Sequence, residues 1–401
     1  MKMNSLRAMS CALLASCLTI SAGPMGSENP SVFSGLTAHE WGTFTSIAGE
    51  KGQAVEWSPL TGSTDLPGFV EHFRNAGFKL GLRGTVRMET PVLYFYDSRE
   101  ATVSVNVRFV RGVITEWYPQ ANRVEPAVAL YDASLNATRP DGSISWDAVT
   151  VAPGLRADFP AENRENHYYA ARQTASTPVL VKTPGGEQQE KFLFYRGVAN
   201  FAVPVAARLT NGGQLLIENH GDEEIPDVIL LERRGEKVGF RMGGPVKDRA
   251  LLDPPELTET VDSLRRELEG LLVSRGLYLD EAHAMVETWR NSWFEEGSRL
   301  FYLVPGGFVN AVLPLSIRPL PVQTVRVFVG RLELVTPATE RAVERALGTH
   351  DGAALAKYGR FLEPILQAMM KKEPNPARAR RLQEALSTYW GAEVAKNGGG
   401  N

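Results

Sequence analysis

The chain has 401 residues, 43% of them hydrophobic and 22% charged, with 46 acids against 43 bases for a net charge of -3. That length suffices for a large buried core, and the balanced charge without a dense Lys/Arg stripe excludes a nucleic-acid binder. The only cysteines, Cys11 and Cys17, lie at the extreme N-terminus, which excludes a disulfide framework, a thiolate nucleophile or a Cys-ligated metal in everything that follows.

The first residues carry Lys2 and Arg7 and no acid, and Ala8 to Ala22 is apolar, broken by small polar residues. Positive charge followed by a brief apolar run is the layout of a secretory signal. The run is too short to span a bilayer, which takes roughly 18 or more apolar residues. Within it, Leu14-Ala15-Ser16-Cys17 resembles the lipobox of bacterial lipoproteins, and the resemblance implies an acylated Cys17 as the first mature residue. Cleavage after Ala22 is the alternative. The expected location is the periplasm or outer cell envelope, with a membrane as partner through a lipid on Cys17. Residues 18–36, rich in Ser, Gly and Pro, read as a flexible tether.

A β-rich domain is expected over 37–335. Its clearest strand is Ala101–Val110, where Val103, Val105, Val107 and Phe109 alternate with Ser104, Asn106 and Arg108, the mark of a half-buried antiparallel strand. Further strands are predicted at Thr85–Tyr96, Val113–Tyr118, Pro178–Lys182, Lys191–Arg196, Gln214–Glu218, Asp227–Glu232 and Lys237–Arg241, separated by Gly/Pro/Asp turns. A helical pair interrupts them over 256–297. Leu257, Val261, Leu264, Leu268, Leu271 and Leu272 fall at helical spacing, and Asp280 is placed to cap a second helix carrying Ala282, Val286, Trp289 and Trp293. Strands resume at Arg299–Val304 and Thr324–Val335. Helices are predicted over 336–396, the first opened by Thr336-Pro337 and closed near Gly348. The expected fold is α+β: a predominantly antiparallel β-sandwich with an inserted helical pair and a C-terminal helical region.

The sequence has no GxxxxGK[ST], GxGxxG after a strand, GxSxG or HExxH. No cofactor is implied. Candidate residues come from six stretches. In Thr37–Thr45, His39 serves as base or metal ligand and Glu40 as acid, although on a strand they face opposite sides unless Gly42 breaks the alternation. The competing account is a first strand with Trp41 and Phe44 in the core. Arg87 and Glu89 share a face ahead of Pro91, which fits an edge or a strand start, and an ion pair is their ordinary role. Glu116 stands beside the aromatic Trp117, a setting that would suit a carboxyl to general acid work, and an exposed Glu at a strand end is the competing account. Arg196, if buried, needs a carboxylate, with Glu89 or Glu116 available. Glu295, near Trp293 and Arg299, joins helix to strand. His283 and Glu287 stand four apart on a helix, a metal-ligand spacing that is equally that of a surface pair.

At these segments the chain resembles exported bacterial proteins of uncharacterised activity that carry HEWGTF, METPVLYFY, EKFLFYRG and SWFEEG stretches, over about residues 37 to 347. That resemblance implies export and no particular chemistry. Two functional expectations stand. One is a membrane-tethered protein that binds a saccharide or peptide through Trp41, Trp117, Arg196 and Trp293. The other is a hydrolase whose candidate catalytic groups are His39, Glu40, Glu89, Glu116 and Glu295, with or without a metal at His39. The second requires those carboxylates to converge.

Overall fold

A computed structural model describes residues 35–61, 66–72, 80–126, 140–156, 158–163 and 166–398. The expected signal, lipobox Cys17 and tether up to residue 34 lie outside the described residues, while Leu36, placed at the end of the tether, is buried in the core. The strands are β1 (Thr37–Ala48), β2 (Glu71–His72), β3 (Val86–Tyr96), β4 (Ala101–Phe109), β5 (Gly112–Tyr118), β6 (Arg123–Glu125), β7 (Gly142–Val151), β8 (Val179–Thr183) and β9 (Gly186–Glu190). They continue with β10 (Leu193–Ala199), β11 (Val205–Leu209), β12 (Leu215–Asn219), β13 (Val228–Arg234), β14 (Lys237–Gly243), β15 (Arg249–Leu252), β16 (Gly297–Leu303), β17 (Leu315–Arg318) and β18 (Gln323–Leu334). The helices are α1 (Val261–Ser274), α2 (Leu279–Thr288), α3 (Gly306–Val312), α4 (Pro337–Gly348), α5 (Gly352–Ala356), α6 (Leu362–Lys372) and α7 (Pro376–Gly398).

A nine-stranded sheet in the order β14-β13-β16-β18-β1-β3-β10-β5-β2 faces two smaller sheets, β17-β4-β7-β8-β9 with β6 beside β7, and β11-β12-β15. The named strand pairs are antiparallel except β1 with β18, which run parallel from Thr37↔Gln323 to Ala48↔Leu334. The fold is therefore α+β, with a mainly antiparallel sandwich at its centre. One face of the large sheet, through Phe44, Leu93, Tyr195, Tyr302 and Phe328, shares a core with Val105, Val107, Trp146 and Val149 of the smaller sheet. The other face is covered by helices. Leu264 and Leu268 of α1 and Met285 and Val286 of α2 pack with Trp41, Tyr94 and Phe301 at one end. Phe361, Ile365, Leu366 and Leu382 pack with Ile47 and Trp57 at the other.

This third layer explains why β4 alternates while the central strands of the large sheet do not. β1 and β3 are buried along their whole length because both faces are covered. Pro91 also sits differently from expectation: β3 is central, not an edge. The missing N–H of Pro91 is accommodated where the registers shift, between Trp41 and Thr43 on one side and between Phe194 and Gly197 on the other. Thr90 takes a positive φ of 46° there. A Cβ on Gly42 would lie 2.7 Å from the Phe328 ring, so the bulge needs a residue without one.

Local signals place the helices with small corrections. Thr260 caps α1 by accepting from Ser263 N. The second helix starts earlier than an Asp280 cap implies: Tyr278 is the N-cap, and the Glu281 carboxylate reaches back to its N–H at 2.8 Å. Asp280 instead accepts from Ala175 N at 2.6 Å. Thr336-Pro337 opens α4 as predicted. Residues 33–401 form one compact unit, so the change from strands to helices after residue 335 divides one body by composition only.

Candidate functional site

β1 sends His39 and Glu40 to opposite faces of the large sheet, and each meets a separate set of partners. His39 is fully buried, with Nδ1 2.8 Å from Glu281 Oε2. Tyr96 donates its hydroxyl to Glu281 Oε1 at 2.6 Å. The Tyr278 ring lies 4.5 Å and the Tyr96 ring 5.4 Å from the imidazole, centroid to centroid. A carboxylate on Nδ1 orients the ring as in many His bases and ligands, and Nε2 has no hydrogen-bond partner among the described residues. The cluster is sealed, however: His39 and Glu281 both have no exposed surface. Burial, with the Glu281 carboxylate next to the phenol, pushes the Tyr96 hydroxyl well above its ordinary range, so it stays a donor.

Glu40, on the sandwich face, accepts from the Tyr195 hydroxyl and from Arg326 Nε at 2.6 Å. Arg326 in turn donates to Asn310 Oδ1 at 2.8 Å. This group has no contact with the His39 cluster, because the β-sheet backbone stands between them.

The third group lies on the helix-covered face and spans three layers of chain. Glu89 Oε1 is 2.8 Å from Arg360 Nη2 and 3.3 Å from Arg87 Nε, while Thr45 donates to Oε2 at 2.7 Å. Arg360 also donates to Ser292 Oγ at 3.2 Å, as does Arg331 at 2.9 Å. Arg331 is 3.2 Å from Glu295 and 3.1 Å from Glu333, and Arg299 Nε donates to Glu333 at 3.0 Å. Arg299 further donates to the carbonyls of Trp293, Glu295 and Glu296. Burial alone raises the Glu89 carboxyl, but Arg360, Arg87, Arg331 and the Thr45 hydroxyl outweigh it and hold the pKa below the usual range. A carboxylate so held is ionised at neutral pH and has no proton to give as a general acid.

Of the candidate catalytic residues, then, Glu89 and Glu295 join one network through Arg360, Ser292 and Arg331, while His39, Glu40 and Glu116 have other partners. Glu116 lies opposite Arg196 across β5 and β10 and accepts from the Thr115 hydroxyl. Arg196 sits over the Phe194 ring at 5.6 Å and donates to Thr90 Oγ1 at 3.4 Å. Trp41 and Trp293 are fully buried, Trp41 6.2 Å from Tyr94 and Trp293 5.3 Å from Phe301, which corrects their expected place on a ligand-facing surface. Only Trp117, half-buried beside the β2 edge, retains solvent access among the three tryptophans proposed. His283 pairs with Glu269 at 2.9 Å and Glu287 with Arg265, so each reaches across to α1 instead of forming the expected pair along one helix. Among the described residues no cluster of three His, Cys, Asp or Glu is arranged to hold a metal.

Among the described residues, two clefts lie elsewhere, against the C-terminal helices. A cleft of about 420 Å³ runs between the end of β1, β11 and α6, lined by Glu50, Glu56, Arg208, Gln367 and Lys371 around Ile47, Val55 and Pro364. Glu56 is paired with Arg83 at 2.8 Å. A second, more apolar groove of about 630 Å³ lies among Leu347, Leu355, Leu362, Ala385 and Tyr389. Sequence reasoning missed both: the walls of the first join segments more than a hundred residues apart, and the second forms only where helices within 346–393 pack together. It also missed Glu281, Arg331, Arg360 and Glu333. The one available signal was compositional: charged residues inside otherwise apolar stretches.

These features define a class: a large α+β sandwich protein with a helical outer layer, buried arginine-neutralised carboxylates and a mixed-charge surface cleft. No family model matches the sequence, and no curated protein matches it. Among solved structures, the yeast delta-COP-I mu-homology domain complexed with a Dsl1 WxWxV peptide is similar at 8% identity and a TM-score of 0.25, over 75% of this chain and 96% of that one. A likeness at that level carries no argument.

Proposed function

We propose that this is an exported, lipid-anchored protein of the bacterial cell envelope that binds a polar ligand, and that its binding site is the cleft between β1, β11 and α6. The observation that carries the ligand reading is the lining of that cleft, where Arg208, Lys371 and Glu50 bring both signs of charge to the rim of a small apolar floor. A volume of about 420 Å³ falls within the range of small-ligand sites. Charges of both signs favour a short peptide, with its own two signs, over a neutral saccharide. Export and anchoring rest on Lys2, Arg7, the short apolar run and Leu14-Ala15-Ser16-Cys17, with no cysteine beyond.

The hydrolase alternative is weaker because its carboxylates are dispersed and arginine-bound. Glu40 and Glu89 lie on opposite faces of one sheet, each against its own arginine. Peptide and oligosaccharide arrays probed with the purified chain test the binding reading. R208A/K371A is expected to lose at least about tenfold in affinity for any captured peptide, the worth of one or two charge-assisted contacts, at an unchanged melting temperature. Capture unaffected by that double variant refutes the cleft. Turnover of ester, amide or glycoside substrates that disappears in E89Q without loss of stability favours the hydrolase.

A further inference from the structure

The three most exposed large apolar side chains among the described residues are Leu320 (85%), Val322 (75%) and Leu279 (69%). Single exposed leucines are ordinary on protein surfaces. These three, however, gather at one end of the large sheet. Leu320 and Val322 belong to the Pro319–Val322 connection that feeds β18, whose first residue pairs with Thr37, the first of β1. Leu279 follows Tyr278, whose ring meets that of Tyr96 edge to face at 5.0 Å, and Tyr96 is the cross-strand partner of the same Thr37.

That end is also where the chain enters the fold. Val322 N donates to Leu36 O at 2.8 Å, and a Cβ on Gly35 would lie 3.0 Å from Val322 Cγ1. About 18 residues separate Gly35 from Cys17, and an uncollapsed chain of that length spans roughly 23 Å. The twelve residues of β1 alone extend about 40 Å at strand rise. A lipid on Cys17 therefore holds the Leu36 end of the sandwich nearer the bilayer than the opposite end, where β1 runs into the mixed-charge cleft.

We propose that Leu320, Val322 and Leu279 form a membrane-contact surface that dips into the lipid headgroup region and orients the anchored protein, with the ligand cleft turned away from the bilayer. The inference rests on the anchor reading above and deepens it. Prolines 319 and 321 stiffen the Leu320 connection, so little conformational freedom is lost when it meets the interface. The lipid surface is the fitting occupant because the patch is apolar, small and set beside the attachment point. A protein partner of stable affinity needs roughly 800 Å² on each side, more than three side chains supply.

The test uses the full chain, expressed with its own N-terminus and reconstituted in vesicles of phosphatidylethanolamine and phosphatidylglycerol. With Cys17 acylated, L320C provides a single free thiol for an environment-sensitive fluorophore, and K51C, just beyond the other end of β1, is the control. The expected result is at least threefold weaker quenching by aqueous iodide at position 320 in vesicles than in detergent-free buffer for the unlipidated C11A/C17A form, with position 51 unchanged. Acylated, vesicle-bound protein with position 320 fully quenched overturns the contact surface and leaves the anchor standing. Shielding of position 320 in the C11A/C17A form without vesicles assigns the patch to a second copy and likewise overturns it. Mass spectrometry that finds Cys17 unacylated removes the anchor reading and this inference together.

Discussion

Replacing Glu89 with Gln tests whether the charged seam is a clamp or a catalytic device. The side chain has no exposed surface and is held by Arg360 at 2.8 Å, Arg87 at 3.3 Å and Thr45 at 2.7 Å. The amide keeps an acceptor for Thr45 but removes the charge that balances the buried Arg87 and part-buried Arg360 guanidinium groups. Breaking one partner of a buried pair costs about 3–5 kcal/mol, since it strands the opposite charge. In a large domain each kcal/mol lowers the melting temperature by about 2 °C, so scanning calorimetry should read a drop of about 6–10 °C at pH 7. The pH dependence sharpens the test. Because the folded-state pKa of Glu89 lies below the ordinary glutamate value of 4.5, its stabilisation is complete above that value and lost as pH falls through the folded pKa. The gap between wild type and E89Q should therefore close in acid. Removing the stranded charge as well, in E89Q/R360M, should recover at least about 1 kcal/mol relative to the sum of the single variants. An E89Q melting temperature within 1 °C of wild type, or strict additivity in the double variant, refutes the clamp.

Four further outcomes are expected. G330A should lower the melting temperature sharply, because the added Cβ would lie 2.0 Å from the Tyr302 ring, and overpacking of this kind costs about 1–3 kcal/mol or more; an unchanged calorimetric midpoint contradicts it. W41A should cost about 3–5 kcal/mol by emptying a fully buried site, while any ligand captured by the folded fraction binds with unchanged affinity by titration calorimetry. E281Q should destabilise α2 by about 1–3 kcal/mol, because a single amide oxygen cannot serve His39, Tyr96 and Tyr278 together; hydrogen exchange of α2 amides reads the loss, and unaltered protection counts against the cluster. Chelator is expected to leave the melting temperature unchanged and elemental analysis to find no stoichiometric metal; a midpoint that falls on chelation would reopen a metal role for His39.

The sequence by itself determined the class and most of the elements. The period-two pattern of β4, the Leu spacing of α1 and the Thr336-Pro337 start of α4 are local properties, set by side-chain direction and backbone preference within a few residues. The opposite facing of His39 and Glu40 was legible for the same reason. Tertiary structure alone decided what the polar residues do. His39 and Glu281 stand 242 positions apart, and Glu89 meets an arginine from the C-terminal helices, pairings that no window of sequence contains. It also decided that Trp41 and Trp293 are core rather than surface, since a helical layer on the second face of the sheet turns an apparent ligand-binding stripe into packing. Which face of a strand is covered depends on chain that returns hundreds of residues later, and burial then determines whether a carboxylate is a free acid or one arm of an ion pair.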